Sequence, residues 1–161
     1  MNKILYLVIP CYNEEEVLPE TSKQVKVKMN DLIKKEVISP QSKIMFVNDG
    51  SKDKTWQIIS ELNKEDSIFS GVNLSRNKGH QNAVLAGIMT AKEHADMVIS
   101  MDADLQDDIH AIDKMVQKFY EGNDVVYGVR SSRKKDTFFK RFTAQGFYKL
   151  MLWMGVDIVY N

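Results

Sequence analysis

The stretch Met97-Val98-Ile99-Ser100-Met101-Asp102-Ala103-Asp104-Leu105-Gln106-Asp107-Asp108 joins a short apolar run directly to an acidic turn. An apolar run of this length that stops abruptly in acid reads as a buried strand ending at a site. Along an extended chain, residues two apart project from the same side, so Asp102 and Asp104 can aim both carboxylates into one small volume. Two converging carboxylates repel each other unless something positive sits between them. For hard oxygen ligands that partner is Mg²⁺ or Mn²⁺ carrying substrate phosphates. The competing reading is helix capping, which suits Asp107 and Asp108 just before Ile109 and stays open for Asp102 and Asp104 on this stretch alone.

Outward from this stretch the same strand, turn and helix unit recurs. Ile4-Leu5-Tyr6-Leu7-Val8-Ile9 is a continuous apolar run closed by Pro10, the pattern of a central strand buried on both faces. The polar turn Cys11-Tyr12-Asn13-Glu14-Glu15-Glu16 follows, then a helix with Leu18, Val25, Met29, Leu32, Ile33 and Val37 at roughly helical spacing, ended by Ser39-Pro40. A second strand is expected over 44–47, a turn at Asn48-Asp49-Gly50-Ser51, and a helix from about Asp53 with Trp56, Ile59 and Leu62 on one side. A third strand over 71–74 leads through Ser75-Arg76-Asn77-Lys78-Gly79-His80 to a helix whose Ala83, Ala86, Gly87 and Ala91 permit close approach to a sheet. After the fourth strand and its acidic turn, a helix over 109–121 carries Ile112, Met115, Val116 and Phe119, and 124–127 reads as a fifth strand.

Strands alternating with helices imply right-handed crossovers and a mainly parallel α/β sheet, with ligand in the crevice outside the strand carboxyl ends. The unusual polar clusters all fall at those ends: Tyr12 to Glu14, Asn48 to Ser51, Arg76 to Gly79, Asp102 to Gln106 and Gly128 to Arg130. Five turns on one edge favour a site over capping, because capping has to be invoked separately for each.

A chain of 161 residues, 43% hydrophobic, is long enough for one core and short for two. The single cysteine, Cys11, cannot form an internal disulfide, and no His/Cys cluster has zinc-ligand spacing; His80, His94 and His110 read as structural. No basic start precedes an apolar run with a small-residue cleavage site, so no signal peptide is expected and the cytoplasm is the expected compartment. The zero net charge is unevenly distributed: residues 130–161 carry +5 and residues 1–129 carry −5. An acidic body with a basic end suggests an anionic surface or phosphate at that end, whereas a nucleic-acid binder is more often basic overall. No apolar run is long enough to span a bilayer. In the last segment, Arg130-Ser131-Ser132-Arg133-Lys134-Lys135 precedes Phe138, Phe139, Lys140, Arg141, Phe142, Phe147 and Trp153. That interleaving suits a helix lying in a membrane interface, and equally a terminal helix packed on the core with a basic outer face.

Chemically, a carboxylate-held cation beside a strand-end crevice suits a diphosphate, whose charge it neutralises as a bond to it breaks. Gly50 and Gly79 allow the backbone close to a ligand, Asp49 can accept hydrogen bonds from a nucleobase, and Tyr12 can pack beside that base. Arg76 and Arg130 can each hold phosphate in bidentate fashion, although a surface ion pair is the commoner fate of a lone arginine.

Val8-Ile9-Pro10-Cys11-Tyr12-Asn13-Glu14-Glu15, Val47-Asn48-Asp49-Gly50-Ser51, Ser75-Arg76-Asn77-Lys78-Gly79 and Asp102-Ala103-Asp104-Leu105-Gln106-Asp107, in this order and at these separations, resemble the inverting glycosyltransferases of family 2. Tyr127-Gly128-Val129-Arg130, then Arg133 and Lys140-Arg141 ahead of Phe147-Tyr148-Lys149-Leu150, are similar to its polyprenyl-phosphate branch, typified by dolichol-phosphate mannosyltransferases and undecaprenyl-phosphate glucosyltransferases. The resemblance implies a GT-A, Rossmann-like fold, a UDP- or GDP-hexose donor, a polyprenyl-phosphate acceptor and Mg²⁺ or Mn²⁺. It implies that Pro10, Tyr12, Glu14 and Asp49 hold the nucleoside. Asp102, Ala103, Asp104 and Gln106 would hold the sugar diphosphate, with Asp102 and Asp104 on the metal. Arg76 joins the donor side on its own chemistry. Asp104 and Arg130 are the expected catalytic pair, with Arg130, Arg133, Lys140 and Arg141 towards the acceptor phosphate.

Two departures from the family pattern stand out: Asn48 where a second Asp is frequent, and Asp108-Ile109 where prolines are frequent. The expected organisation is a nucleotide-sugar domain over 1–129 and a basic, aromatic acceptor-side segment over 130–161, the whole forming the N-terminal catalytic part of a longer enzyme at the cytoplasmic face of a membrane. Transfer to a soluble or cell-surface glycan is the alternative within the family. A nucleotide-sugar-binding fragment without activity is a further one. A phosphoacceptor receiver module is disfavoured, because such modules keep a lysine where this chain has Arg130.

Overall fold

The computed structural model describes residues 2–106 and 108–128, so Asp107, Arg130, Arg133, Lys140, Arg141 and the basic, aromatic end lie outside the described residues. Met1–Tyr127 forms one compact unit. Its elements alternate: β1 Leu5–Cys11, α1 Leu18–Lys34, β2 Lys43–Asn48, α2 Thr55–Glu65, β3 Phe69–Asn73, α3 His80–Ala91, β4 Met97–Ser100 and α4 Ala111–Tyr120. The four strands form one parallel sheet in the order β3-β2-β1-β4.

β1 is central because both of its faces are apolar. Alternate side chains go to opposite faces. Leu5, Leu7 and Ile9 join the core with Leu18, Val25 and Met29 of α1, Ile59 of α2 and Val116 of α4. Tyr6 and Val8 join Met45, Val47 and the small residues Ala83 and Ala91 of α3 on the other face. At Gly87 a side chain would meet Val47 Cγ2 at 2.8 Å and Val8 Cγ1 closer still, so α3 lies on the sheet at glycine contact distance.

The strand order reverses between β1 and β4. Each crossover is right-handed, so α1 and α2 cover one face while α3, carrying the chain back across the sheet, covers the other. α4 also lies on the α1 face, its Ile112 and Val116 sharing a core with Leu18 and Val25. Thr21 of α1 bonds Ala103 of the turn after β4, so the loops after β1 and β4 run side by side at the carboxyl edge, where ligands of such sheets bind.

Three expectations are corrected. β1 does not stop at Ile9 but runs through Pro10 to Cys11. Proline is tolerated because its missing N–H falls where no partner strand remains. Val8 O accepts from Met101 N at 3.1 Å on the β4 side, and Val8 with Ser100 is the last β1–β4 pair. Backbone groups two residues apart point the same way, so Pro10 would have donated towards a strand that has already ended. α1 ends at Lys34, well before Ser39-Pro40. Its terminator is a Schellman motif, with Glu36 at φ 57° and Val37 N donating to Leu32 O at 2.9 Å. Residues 124–127 form no strand among the described residues. The run Val125-Val126-Tyr127 finds no neighbouring ladder there, and Val125 and Tyr127 are 66% and 84% exposed. No described helix is long and apolar enough to cross a membrane.

Candidate functional site at the strand carboxyl ends

The acidic turn begins where β4 leaves the sheet. Burial alternates along it: Met101 and Ala103 are buried, while Asp102, Asp104 and Gln106 are exposed. Both carboxylates are thus exposed at this edge, Asp102 beside His80 of α3 and Asp104 close enough to Glu14 for its charge to raise that residue's pKa. Ala103 is held from below, its carbonyl accepting from the fully buried Thr21 Oγ1 of α1 at 2.6 Å. Leu105 then takes φ 55°, and Gln106 N donates to Asp104 Oδ1 at 3.0 Å, closing the turn. Asp108 closes the turn ahead of α4, accepting from His110 N at 2.9 Å, but it does not cap the helix, whose N-cap His110 has no side-chain cap bond. Asp104 binds a backbone N–H of its own turn with one oxygen only.

The loop after β1 is tied to the turn after β2 by reciprocal bonds. Asn13, at φ 55°, donates its N–H to Ser51 Oγ at 3.0 Å and accepts from Lys52 N at 2.9 Å. Glu14 N donates to the buried Thr55 Oγ1 at 2.8 Å, and Glu15 N to Asp53 Oδ2 at 3.1 Å. These ties leave the Glu14 carboxylate half-buried. Burial, and after it the charges of Asp104 and Asp53, hold its pKa above the ordinary 4.5. Tyr12 is partly exposed at the mouth of the same edge, whereas Pro10 is buried within β1.

Asp49 is buried, and each of its oxygens already holds a backbone N–H of the loop after β3. Oδ1 accepts from Lys78 at 2.7 Å and Oδ2 from Gly79 at 2.9 Å. The side chain read as a nucleobase acceptor therefore clamps the loop that leads into α3, with only the remaining lone pairs free for a ligand. Gly50, at φ 66°, has the same neighbour. A Cβ there would meet Asn77 N at 2.5 Å and the Arg76 carbonyl carbon. The close approach expected at Gly50 is thus to the chain's own backbone and not to a ligand; Gly79 by contrast faces open space. Arg76 is exposed on this loop and forms no ion pair among the described residues.

Asn48 explains its own departure from the family pattern. It is buried, donates Nδ2 to Asn73 Oδ1 at 2.7 Å and accepts from Ser51 N at 3.2 Å, so it links the β2 turn to β3. His80, read as structural, opens α3 with Nε2 3.7 Å from Asp102 Oδ1 and stands at the site. Cys11 is buried, and burial pushes its thiol up, so it is inert packing.

Thr21, Thr55 and Asn73 were not singled out in the sequence, and Ser51 was placed at this edge only as a member of its turn, with no role of its own. Thr21 left a faint signal, a polar residue between Leu18 and Val25 on the apolar stripe of α1. A polar group at a core position has to find a buried partner. Nothing local distinguishes Ser51 or Thr55 from ordinary turn and helix-start residues.

Among the described residues no three His, Cys, Asp or Glu side chains form a metal-binding group. The acidic turn offers two exposed hard-oxygen donors, which fits a cation that completes its shell with phosphate oxygens and water.

A doubly wound α/β domain with an Asp-x-Asp turn at its switch point defines a nucleotide-sugar transferase class of fold. The glycosyl transferase family 2 model matches residues 6–156, and the chain belongs to that family. The uncharacterized glycosyltransferase YkoT of Bacillus subtilis is 52% identical over 158 residues, covering 98% of this chain and 47% of YkoT. The prophage bactoprenol glucosyl transferase homolog of Escherichia coli is 40% identical over 146 residues, covering 89% of this chain and 44% of that protein. Among solved structures, Staphylococcus aureus TarS 1-349 in complex with UDP superposes with a TM-score of 0.56 at 20% identity, over 85% of this chain and 39% of that one. The fold is GT-A, as the motifs implied. The chain spans less than half the length of these curated relatives.

Proposed function

We propose that the protein is an inverting glycosyltransferase that moves a hexose from a nucleoside-diphosphate sugar, UDP- or GDP-linked, to a polyprenyl phosphate at the cytoplasmic face of a membrane. The observation that carries the donor half is the acidic turn. Asp102 and Asp104 emerge together at the β1/β4 switch point, with Ala103 buried beneath them. The acceptor half is supported by the relatives named bactoprenol glucosyl transferase, 40–41% identical over 146 residues.

In this reading the nucleoside lies against the loops after β1 and β2, which the Asn13 bonds to Ser51 and Lys52 hold together. Tyr12 lies beside the base, Pro10, Glu14 and Asp49 shape the floor, and Arg76 and Gln106 face the diphosphate with the Ala103 backbone. A Mg²⁺ or Mn²⁺ held by Asp102 and Asp104 would neutralise charge on the departing nucleoside diphosphate. The acceptor is a phosphate monoester, largely ionised at neutral pH because its second pKa is about 6, so it needs little help from a general base. Its oxyanion attacks the anomeric carbon opposite the leaving group. A C–O bond forms as the anomeric C–O bond to the diphosphate breaks, and the centre inverts. Orientation and charge neutralisation carry the catalysis, with Asp104 and Arg130 nearest the reacting groups. Arg130, Arg133, Lys140 and Arg141 draw in the acceptor phosphate. The segment over 130–161 is the acceptor side of a larger, membrane-anchored enzyme, and 1–129 its donor domain.

The test is calorimetric titration of the full-length protein with UDP and GDP, with and without Mn²⁺, beside Asp104→Ala. Metal-dependent binding of one nucleotide, abolished by the substitution, is the expected result. Binding that is indifferent to both Mn²⁺ and Asp104 would sink the reading.

A further inference from the structure

We propose that Thr21 is the positioning residue of the acidic turn: its buried hydroxyl sets the direction in which Asp102 and Asp104 leave the sheet. The proposal rests on the donor-site reading of that turn and adds a residue from a different element to it. Thr21 lies in the first turn of α1, fully buried, and its hydroxyl is 2.6 Å from Ala103 O and 3.0 Å from Val17 O. A hydroxyl has one hydrogen, and the shorter contact takes it. The i−4 carbonyl of Val17 is the ordinary partner of a helical threonine and already accepts from the Thr21 N–H at 3.0 Å. Ala103 O has no other donor among the described residues, and it lies between the two carboxylates in the chain.

Fixing that one carbonyl fixes the peptide plane after Ala103. Its direction commits Ala103 inward and its two neighbours outward. The constraint is needed because the sheet no longer provides it. The β1–β4 ladder ends at Ser100, Met101 N makes the last bond to Val8, and Pro10 offers no further donor. Two residues beyond the anchor, Leu105 adopts φ 55°, a conformation that a branched side chain holds only when its surroundings impose it. The Thr21 bond beneath Ala103 and that of Gln106 N to Asp104 Oδ1 supply those surroundings.

The experiment compares Thr21→Val and Thr21→Ala, which lose the hydroxyl at two sizes, with Thr21→Ser, which keeps it. The metal-free readout is amide hydrogen exchange at Gln106, with Leu7 in β1 reporting global opening. Loss of the hydroxyl should speed exchange at Gln106 by about tenfold beyond any change at Leu7, while Thr21→Ser stays within about threefold of the parent. Nucleotide titration follows. Mn²⁺-dependent affinity should fall about tenfold in Thr21→Val and Thr21→Ala, with metal-independent nucleoside affinity unchanged and Thr21→Ser close to the parent. Gln106 exchange that does not move, or that moves only in step with Leu7, overturns the proposal, as does an equal loss of metal-dependent and metal-independent binding. If the parent protein itself binds no nucleotide in a metal-dependent way, it is the donor-site reading that fails, and the exchange data still decide whether Thr21 holds the turn.

Discussion

Two carboxylates show how burial divides similar residues into different roles. Asp49 is buried and satisfied by two backbone N–H groups, so its charge is solvated by the protein. Asp49→Asn would point an amide N–H₂ at one of those donors. Leaving a buried donor unmatched costs about 1–3 kcal/mol, so urea unfolding should register a loss of that size. The loop at Arg76 to Gly79 should loosen with it, and phosphate-dependent affinity should fall more than stability alone explains. Glu14 is the opposite case, half-buried with two acids near it and no hydrogen bond to its own carboxylate among the described residues. Its folded pKa is raised, so the folded state binds the proton more tightly than the unfolded chain does. Its ionisation therefore destabilises the fold as pH climbs through and above the raised value, and no penalty remains below the ordinary 4.5. Glu14→Gln should accordingly raise Tm at pH 7 and leave it nearly unchanged at pH 4. Equal shifts at both pH values would show that packing, not charge, is responsible.

At the scale of elements, the contact between α3 and the sheet is set by one missing side chain. Gly87→Ala would drive a methyl into Val8 and Val47, an overpacking error worth about 1–3 kcal/mol. Because Val8 is the nearer obstacle, Val8→Ala should relieve part of that cost, and a double-mutant cycle should give a favourable coupling between the two substitutions. Additive losses would mean that α3 shifts bodily instead. The end of α1 offers a gain. Glu36 sits at φ 57° in the C′ position that favours glycine, so Glu36→Gly should stabilise by about 0.5–1 kcal/mol, read as a rise in Tm without a change in m-value. This end also shows where sequence reading falls short. Among the described residues, apolar periodicity located the four helices and the four strands, because burial on one face is a property of the sequence itself. The stop of α1 was misplaced because the left-handed residue is Glu36, and nothing about a glutamate announces that conformation. The fifth strand was read from three apolar residues, but a strand also needs a partner, and partners are not local.

Across the whole molecule, the site was legible as a set of turns on one edge and not as a set of contacts. The sequence placed Asp102 and Asp104, Asp49, Glu14 and Arg76 on that edge, since parallel topology sends every strand's carboxyl end there. It could not show that Asp49 and Gly50 face the chain's own loop, or that Thr21 reaches the acidic turn from α1, because those bonds span 29 to 82 residues. The charge is uneven across the molecule, +5 over residues 130–161 against −5 over residues 1–129. A basic residue near an anionic lipid surface contributes about 1 kcal/mol at physiological salt. If Lys134, Lys135, Lys140 and Arg141 all meet that surface, the 161-residue chain should bind phosphatidylglycerol vesicles more tightly than phosphatidylcholine ones, and raising salt should weaken it. Reversing the four charges to Glu should then lower partitioning by at least about three orders of magnitude, the loss of four attractions at 1.4 kcal/mol per factor of ten. Reversing the exposed Lys23 and Lys64 of the body should change it far less. Equal effects per reversed charge in the two sets would mean that only net charge is sensed, and no vesicle binding at low salt would favour a soluble or cell-surface glycan acceptor over a lipid phosphate.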